Sequence, residues 1–288
     1  MYPYAPPSVS VTIPVYNGER FLAETIRSVL DQTYRDFELV ILDNASKDRS
    51  GVIAQSFGDP RIRVERNPET VPQAENWNRA VRLCRAPLIK MLCADDLMHP
   101  RCLELQVPPM QKDPSLALVA ARRHMIDEQS RVIAPRRGLN GLVGRHTAAD
   151  VARRVVRNGA NPIGEVGNVL FRRRDFDAVG GWRADRHLVM DLDLWLRLLQ
   201  CGDFLGQPEA LAAFRIGRGT VSDENEQAIY EQQLALIAEL AQTPYYRVRS
   251  IDLAIGKMTA PLGHLRRRIL FMLSKLSARK EERSLARA

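Results

Sequence analysis

Two adjacent carboxylates, Asp95 and Asp96, follow a mainly apolar segment and precede Pro100, a residue type suited to starting a helix. The segment, Leu88–Cys93, has the length and composition of a buried strand. In an open α/β sheet the ligand crevice lies at the carboxyl ends of the strands, so two acids there could hold a divalent cation against a phosphate. The alternative is that the acids cap the following helix. The residues by themselves leave both interpretations open.

A third acid, Asp43, follows the apolar strand pattern Phe37–Leu42 in the same way. Acids at the ends of neighbouring strands would converge on one crevice, where one could accept hydrogen bonds from a base or ribose while another holds a metal. The alternative is a local turn, because the segment Asp43–Asp48 is rich in turn-forming residues. The residues around Asp43, taken alone, favour the local turn.

Two further acids, Asp191 and Asp193, lie in the first turn of a helix predicted over Met190–Cys201. The helix dipole favours negative charge at this position, so capping is the simplest interpretation. A cap needs only one acid, and the second would be available as a general base.

Strand and helix patterns alternate along the chain, which predicts βαβ units and a largely parallel sheet. We expect the segment Arg131–Arg145, rich in Gly and Arg, to be a mobile loop. Strands are predicted at Ser8–Val15, Phe37–Leu42, Arg61–Glu65, Leu88–Cys93, Leu116–Ala121, Val166–Phe171 and Phe204–Ile216, and helices at Phe21–Gln32, Gly51–Phe57, Pro72–Cys84, from Pro100 through Met110, and at Thr147–Val156, Met190–Cys201 and Asp223–Ala241.

With 288 residues, 45% of them hydrophobic, the chain can form one large α/β domain or two small ones. The longest apolar runs fall far short of the roughly 18 residues that a membrane span needs. The N-terminal residues lack the basic and apolar regions of a signal peptide, so we expect a cytoplasmic protein. Four cysteines without CxxC spacing predict reduced thiols.

The positive charge is concentrated in one part of the chain. Residues 245–288 contain eleven Lys and Arg against three acids, which accounts for the whole net charge of +8. We therefore divide the chain into a formally neutral body, 1–243, and a basic tail, 244–288. The tail contains neither interleaved aromatic residues nor a recognised module, so nucleic-acid binding is not expected.

Part of this tail has the pattern of an amphipathic helix flanked by basic residues. The pattern predicts that residues 262–280 lie on an anionic membrane surface, which would make the protein peripheral on the inner face of the membrane. The alternative is that the apolar face docks on the body or on a second subunit. The apolar face consists of Leu262, Leu265, Ile269, Met272, Leu273 and Leu276, and the basic residues are Arg266, Arg267, Arg268, Lys275, Arg279 and Lys280.

Taken together, these motifs resemble a family-2 glycosyltransferase with the GT-A fold, a Rossmann-like, mostly parallel but mixed sheet flanked by helices. Eight pieces match in the family's order between about Val9 and Ser222. They are IPVYN (Ile13–Asn17), the stretch Phe21–Ser46, NWNRAV (Asn76–Val81), Asp95-Asp96, GNVLFRR (Gly167–Arg173), GGW (Gly180–Trp182), DLDLWLRL (Asp191–Leu198) and FRIGRGTVS (Phe214–Ser222).

The resemblance implies a role for individual residues. Asp43 would accept a hydrogen bond from the nucleobase, and Asp95 would be the last acid of a DXD motif that binds Mg²⁺ or Mn²⁺, with Asp96 beside it. Asp191 would be the general base, at the position of the family's ED motif. The remaining residues of the nucleotide-sugar site would be Pro14, Tyr16, Asn17, Glu19, Asn76 and Arg79.

The sequence departs from the family pattern at three positions. Cys93 replaces the first Asp of DXD, and Met190 replaces the common Glu before Asp191. Gly217 stands where a His is frequent, so a contact to the diphosphate is missing or is made by Arg218. These differences affect the expected metal ligation more than the expected fold.

The resemblance implies transfer of a sugar from a nucleotide-diphosphate donor to a hydroxyl of a saccharide or lipid-linked acceptor. Inversion at the anomeric carbon and a role in cell-surface polysaccharide or glycolipid synthesis are the expected details. The alternatives are a nucleotidyltransferase, which offers no role for Asp191, and a catalytically silent nucleotide-sugar-binding protein, against which the retained acids argue.

Overall fold

The computed structural model describes residues 6–217, 225–263 and 265. The seven buried residues of Val9–Val15 form strand β1. The other strands are β2 Phe37–Asp43, β3 Ile62–Arg66, β4 Leu88–Met91, β5 Leu97–Met98, β6 Leu116–Ile126, β7 Val132–Arg137, β8 Gly144–His146, β9 Val169–Arg172 and β10 Asp203–Arg215.

From β1 to β4 the helices alternate with the strands, as the sequence predicts. The α-helices are α1 Leu22–Leu30, α2 Ser50–Gln55, α3 Gln73–Leu83, α4 Cys102–Lys112, α5 Ala148–Asn158, α6 Arg173–Val179, α7 Met190–Leu198, α8 Glu226–Gln242 and α9 250–263; short 3₁₀ turns lie at Val166–Asn168, Ala184–Arg186 and Pro244–Tyr246.

The strands form one mixed sheet in the order β3-β2-β1-β4-β9-β6-β10-β5, with β7 beside β6 and β8 beside β10. β1 is parallel to both β2 and β4, and β6 is parallel to β10. β9 lies antiparallel between β4 and β6, so the strands on its two sides run in the same direction. The carboxyl ends of β1, β2, β4, β6 and β10 therefore meet at one edge of the sheet.

Helices cover both faces of the sheet because the strand side chains alternate between them. In β2, Leu39 and Ile41 pack with the apolar faces of α1 and α4. Val40 and Leu42, on the opposite face, pack with α3, α5 and α7. The result is a three-layer α/β/α arrangement, as the alternating sequence pattern predicts.

The prediction of a mobile loop over Arg131–Arg145 is wrong. This segment contains β7, which pairs with β6, and most of β8, which pairs with β10. Between them, the side chains of Leu139 and Leu142 are buried. The Gly and Arg content suggested a loop, whereas a hairpin with β6 orders β7, and pairing with β10, a strand distant in sequence, orders β8.

The described part of the tail packs against the body. Tyr246 is 4% exposed, and its hydroxyl donates to the carbonyl of Leu196 in α7 over 3.1 Å. In α9, Asp252 is fully buried and forms an ion pair with Arg157 of α5. Among the described residues, no helix combines the length and apolar character needed to cross a membrane. The division at residue 243 stays a prediction, and residues 264 and 266–280 of the predicted amphipathic helix lie outside the described residues.

The contact between α9 and α5 depends on Gly256. A Cβ atom at this position would lie 2.3 Å from the carbonyl oxygen of Val156, which is backbone and cannot move aside cheaply. We expect Gly256→Ala to destabilise the protein by about 1–3 kcal/mol, the usual cost of overpacking. Thermal unfolding measures this change.

Gly263 in the same helix provides a matched control. A Cβ atom there would have the Asn158 carbonyl oxygen at 3.7 Å, an ordinary contact. Gly263→Ala should leave the melting temperature unchanged or raise it slightly, since Ala is the better helix former. Equal melting temperatures for the two variants would show that α9 is not tightly docked on α5.

Candidate active site

Asp95 and Asp96 lie in the turn between β4 and β5, at the sheet edge where the parallel strands end. Ligand atoms of Cys93, Asp95 and Asp96 all lie within 4.8 Å of one another. The alternative role as helix caps is wrong, because α4 begins at Cys102 with Arg101 as its N-cap residue.

Burial makes this acid pair electrostatically costly. It raises the pKa of Asp95, although the charge of Arg215 opposes the rise. The pKa of Asp96 is well above its ordinary value because of burial and the charge of Asp95. A bound cation would relieve this repulsion, and carboxylate oxygens are the ligands that Mg²⁺ and Mn²⁺ prefer. The two carboxylates therefore fit a divalent cation, with the thiol of Cys93 adjacent.

Arg215, at the end of β10, fixes the position of the acid turn. Its backbone N–H donates to Asp96 Oδ1 over 2.9 Å, and its Nε donates to the carbonyl oxygen of Asp95 over 2.7 Å. The guanidinium also donates to Glu24 of α1 and to the carbonyl oxygen of Asp127. Sequence analysis gave Arg215 no role, since nothing near it in the chain signals these contacts.

Two of the predicted nucleotide-site residues hold the loops after β1 and β2 together. The Asn17 amide donates to Ser46 Oγ over 3.0 Å, and Asn17 Oδ1 accepts from the Lys47 amide over 2.9 Å. Glu19 Oε2 accepts from the Arg49 amide over 2.9 Å. These side chains therefore shape the loops.

Two other predicted residues border the same loops. Pro14 is buried in β1, whereas the side chain of Tyr16 is 50% exposed. Tyr16 thus offers an aromatic surface at the carboxyl end of β1.

Asp43 is 1% exposed, and both of its carboxylate oxygens are engaged. Oδ1 accepts from the Ser46 amide over 2.9 Å, which is the local turn that its sequence context favours. Oδ2 forms an ion pair with Arg66. Contact with a nucleobase would require Arg66, which is 54% exposed, to give up this interaction.

Helix α3 carries the last two predicted nucleotide-site residues. The amide oxygen of Asn76 accepts from Asn67 Nδ2 over 2.9 Å, and the same Nδ2 donates to Asn44. Asn76 thus belongs to a buried polar network behind the β2 loop. Arg79 is half-buried and makes no hydrogen bond or ion pair with any other described residue, so its guanidinium is available to a ligand.

The two acids of α7 have different surroundings, and neither caps the helix, which begins after Val189. Asp193 forms an ion pair with Arg197 at 2.6 Å. Asp191 Oδ1 is buried without a hydrogen-bond partner in the described part of the chain. Burial and then the charge of Glu165 raise the pKa of Asp191 to about 7, although the Trp182 side chain opposes the rise. Asp191 therefore has the properties of a general base near neutral pH.

Glu165 connects the two acid sites and was missed by sequence analysis. Its negative charge raises the pKa of Asp191 and also that of Asp96. Its carboxylate forms an ion pair with Arg123 of β6, which is 8% exposed. A single Glu in a loop gives no sequence signal. The shared electrostatic effect indicates that the acid turn and the start of α7 lie near each other.

Asp191, whose Oδ1 atom is buried, should make stability depend on pH. Its pKa is about 7 in the folded protein and about 3.9 when unfolded, so the folded state binds the proton more tightly. Stability should therefore fall as pH rises from about 4 to about 7, by at most about 4 kcal/mol. Asp191→Asn should melt above the wild type at pH 8, and by a clearly smaller margin at pH 5.

Asp193→Asn is the matched control for this measurement. It removes a paired carboxylate from the same helix turn, so this variant should melt below the wild type at both pH values. If the difference in melting temperature between the wild type and Asp191→Asn does not change with pH, the raised pKa of Asp191 is contradicted.

Comparisons with known sequences agree with this geometry. The family model described as glycosyl transferase family 2 matches residues 10–180. The putative glycosyltransferase EpsE of Bacillus subtilis is 29% identical over 201 residues, which cover 68% of each protein. Chondroitin synthase of Escherichia coli is 28% identical over 201 residues, which cover 69% of this chain and 27% of the synthase.

Solved structures show the same fold. TarS of S. aureus, determined in complex with UDP-GlcNAc, superposes with a TM-score of 0.65 at 14% identity and covers 88% of this chain and 70% of TarS. The mannosyltransferase PcManGT of Pyrobaculum calidifontis, in complex with GDP-Man and Mn²⁺, gives 0.63 at 16% identity, covering 98% and 84%. The resemblance inferred from the motifs is thus confirmed: the chain belongs to glycosyl transferase family 2 and has the GT-A fold.

Proposed function

We propose that this protein transfers a sugar from a nucleotide-diphosphate donor to an acceptor hydroxyl, with inversion at the anomeric carbon. The observation that carries the proposal is the unpaired, buried oxygen of Asp191, whose pKa is about 7, in a crevice shared with Asp95 and Asp96. A base and a candidate cation site together are what the transfer of a sugar from a diphosphate requires.

The donor nucleotide would bind along the loops after β1 and β2. The exposed ring of Tyr16 offers a stacking surface, and the guanidinium of Arg79, which has no partner among the described residues, can bind a phosphate oxygen. Asp43 would accept from the nucleobase when Arg66 moves aside. Pro14, Asn17, Glu19 and Asn76 would support these contacts by fixing the loops.

Asp95 and Asp96 would hold the divalent cation, Mg²⁺ or Mn²⁺. When bound, such a cation supplies positive charge that stabilises the departing diphosphate. Asp96 Oδ1 already accepts from the Arg215 amide, so we assign the larger share of cation binding to Asp95. The Mn²⁺ present in the PcManGT complex is consistent with this assignment.

Asp191 would act on the acceptor. Its carboxylate can take the proton of the attacking hydroxyl as the new C–O bond forms, and attack opposite the leaving diphosphate inverts the anomeric carbon. Because the pKa of Asp191 is about 7, activity should rise with pH from about 6 to about 8 as the carboxylate loses its proton.

The acceptor would be a saccharide or a lipid-linked saccharide in the synthesis of a cell-surface polysaccharide or glycolipid. The similarity to chondroitin synthase, whose name denotes a polysaccharide product, supports this class of acceptor. The protein would act on the cytoplasmic side of the membrane.

Two substitutions test the assigned roles separately. Asp191→Asn should reduce turnover by about 10²–10⁴-fold and leave donor affinity unchanged, because the base acts only in the chemical step. Asp95→Ala should remove the dependence of nucleotide-diphosphate affinity on Mn²⁺. A donor panel with Mn²⁺ first identifies the nucleotide sugar by its increase of the melting temperature. Calorimetry and a transfer assay then measure affinity and turnover.

Specific outcomes would contradict these assignments. Near-normal turnover in Asp191→Asn would exclude this residue as the base. If the nucleotide-diphosphate affinity of Asp95→Ala still depends on Mn²⁺ as in the wild type, the cation binds at another site. Donor binding by the wild type without transfer or hydrolysis would instead support a catalytically silent binding protein.

We also propose that residues 262–280 contact an anionic membrane and bring a lipid-linked acceptor to the enzyme. Residues 250–263 of α9 and residue 265 support this proposal, because apolar side chains along one side of the helix are at least half exposed. They are Ile251, Met258, Leu262 and Leu265, with exposed fractions of 55%, 76%, 56% and 51%. An apolar surface followed by basic residues is typical of interfacial helices.

Neutralising the three consecutive arginines of the tail tests membrane contact. Arg266→Gln/Arg267→Gln/Arg268→Gln should float less with phosphatidylglycerol vesicles at low salt, since each basic residue near an anionic surface contributes about 1 kcal/mol at most. The control removes three exposed arginines from the body: Arg35→Gln/Arg82→Gln/Arg137→Gln. Equal flotation of the two triple variants would exclude a specific role of the tail.

A further inference from the structure

A second cavity, of about 340 Å³, lies at α5 and the start of α9, and none of its lining residues belongs to the acid crevice. Arginines dominate its walls. The basic residues of the lining are Arg153, Arg154 and Arg157 of α5, Arg249 just before α9, and His146 of β8.

Two nearby carboxylates form ion pairs with three of the four arginines. Asp150, which also completes the capping box of α5, forms an ion pair with Arg153. The fully buried Asp252 binds both Arg157 and Arg249. Burial raises the pKa of Asp252, but hydrogen bonds from the two arginines outweigh this effect and lower it to about 2. Asp252 therefore stays ionised. Its oxygens are occupied by Arg157 and Arg249 and do not pair with Arg154, the fourth arginine of the lining.

Arg154 is the exception. It is half-buried, yet it makes no hydrogen bond or ion pair within residues 6–217, 225–263 and 265. Its guanidinium lies against the backbone of Gly141, where a Cβ atom would be 2.5 Å from Nη2. Gly141 has a φ of +75°, a conformation that also favours glycine. The wall thus leaves room for the guanidinium without supplying an acceptor for its N–H groups.

We propose that this cavity binds a phosphate group, with Arg154 as the principal ligand. Four guanidinium groups face two carboxylates here, so the cavity keeps a surplus of positive charge. A guanidinium presents N–H donors in a planar fork that matches two oxygens of a phosphate. Partial burial weakens screening by water and strengthens this contact. The phosphate belongs either to the headgroup of an anionic lipid or to a soluble phosphate ester.

A ³¹P NMR titration of inorganic phosphate, with EDTA present to exclude metal-dependent binding in the acid crevice, tests the site. Wild-type protein should broaden the phosphate signal saturably, and Arg154→Gln should weaken binding about tenfold or more. Arg154→Lys keeps the charge but loses the planar fork, and should bind with intermediate affinity. Donor affinity and turnover should stay at wild-type values in all variants.

Arg35→Gln is the matched control, since Arg35 is exposed between α1 and β2 and has no partner among the described side chains. This variant should bind phosphate as the wild type does. The proposal is overturned if Arg154→Gln and Arg35→Gln bind phosphate equally, or if the wild type shows no saturable broadening. Thermal unfolding of each variant without phosphate verifies that it is folded.

Vesicle flotation distinguishes the two sources of phosphate. Vesicles of phosphatidylcholine alone present a neutral surface, and added phosphatidic acid introduces an anionic phosphomonoester headgroup; Arg154→Gln and Arg35→Gln each remove one positive charge, so they are compared at equal net charge. Reduced flotation of Arg154→Gln, but not of Arg35→Gln, on the phosphatidic acid vesicles supports the site and assigns it to a lipid headgroup. Equal flotation, together with weakened phosphate binding in the titration, supports the site and assigns it to a soluble phosphate ester.

Discussion

The buried guanidinium of Arg215 holds the catalytic edge of this protein together. It is 2% exposed, and a buried cation is tolerated only when its N–H groups are satisfied. Its partners come from the acid turn after β4, from Glu24 of α1 and from the end of β6, and its guanidinium also lies 4.3 Å from the ring centre of Phe21. One side chain thus sets the position of the acid turn relative to three neighbouring elements.

The acid crevice carries more negative charge than its surroundings neutralise. Asp95, Asp96 and Asp191 all have raised pKa values, with burial as the largest cause. Such an arrangement costs stability in the free protein, which is a common property of sites built to bind cations and move protons. Asp193, two residues after Asp191, is neutralised by Arg197 and has a structural role. The difference between the acids of α7 is therefore a difference in partners.

The opposite imbalance occurs at α5. There the arginines outnumber the acids, and Asp252 of α9 compensates two of them while joining the C-terminal segment to the body. The same segment presents apolar side chains to solvent on its other side. The two regions therefore carry opposite net charge: acids dominate the region around Asp95, Asp96 and Asp191, and arginines dominate the cavity at α5.

The sequence by itself determined the fold class and most of the candidate site. Alternating apolar patterns identified the parallel strands, and the acids at their ends identified the crevice, because these signals are local and survive in a single chain. Tertiary contacts decided the rest. β8 is ordered by β10, a strand distant in sequence, and β7 by a hairpin with β6, against a loop-like composition. Arg215 binds Asp96 across 119 residues, and the pKa of Asp191 depends on burial and on Glu165, which only the folded chain brings near it. Burial and long-range pairing arise from packing, so no local pattern could have predicted them.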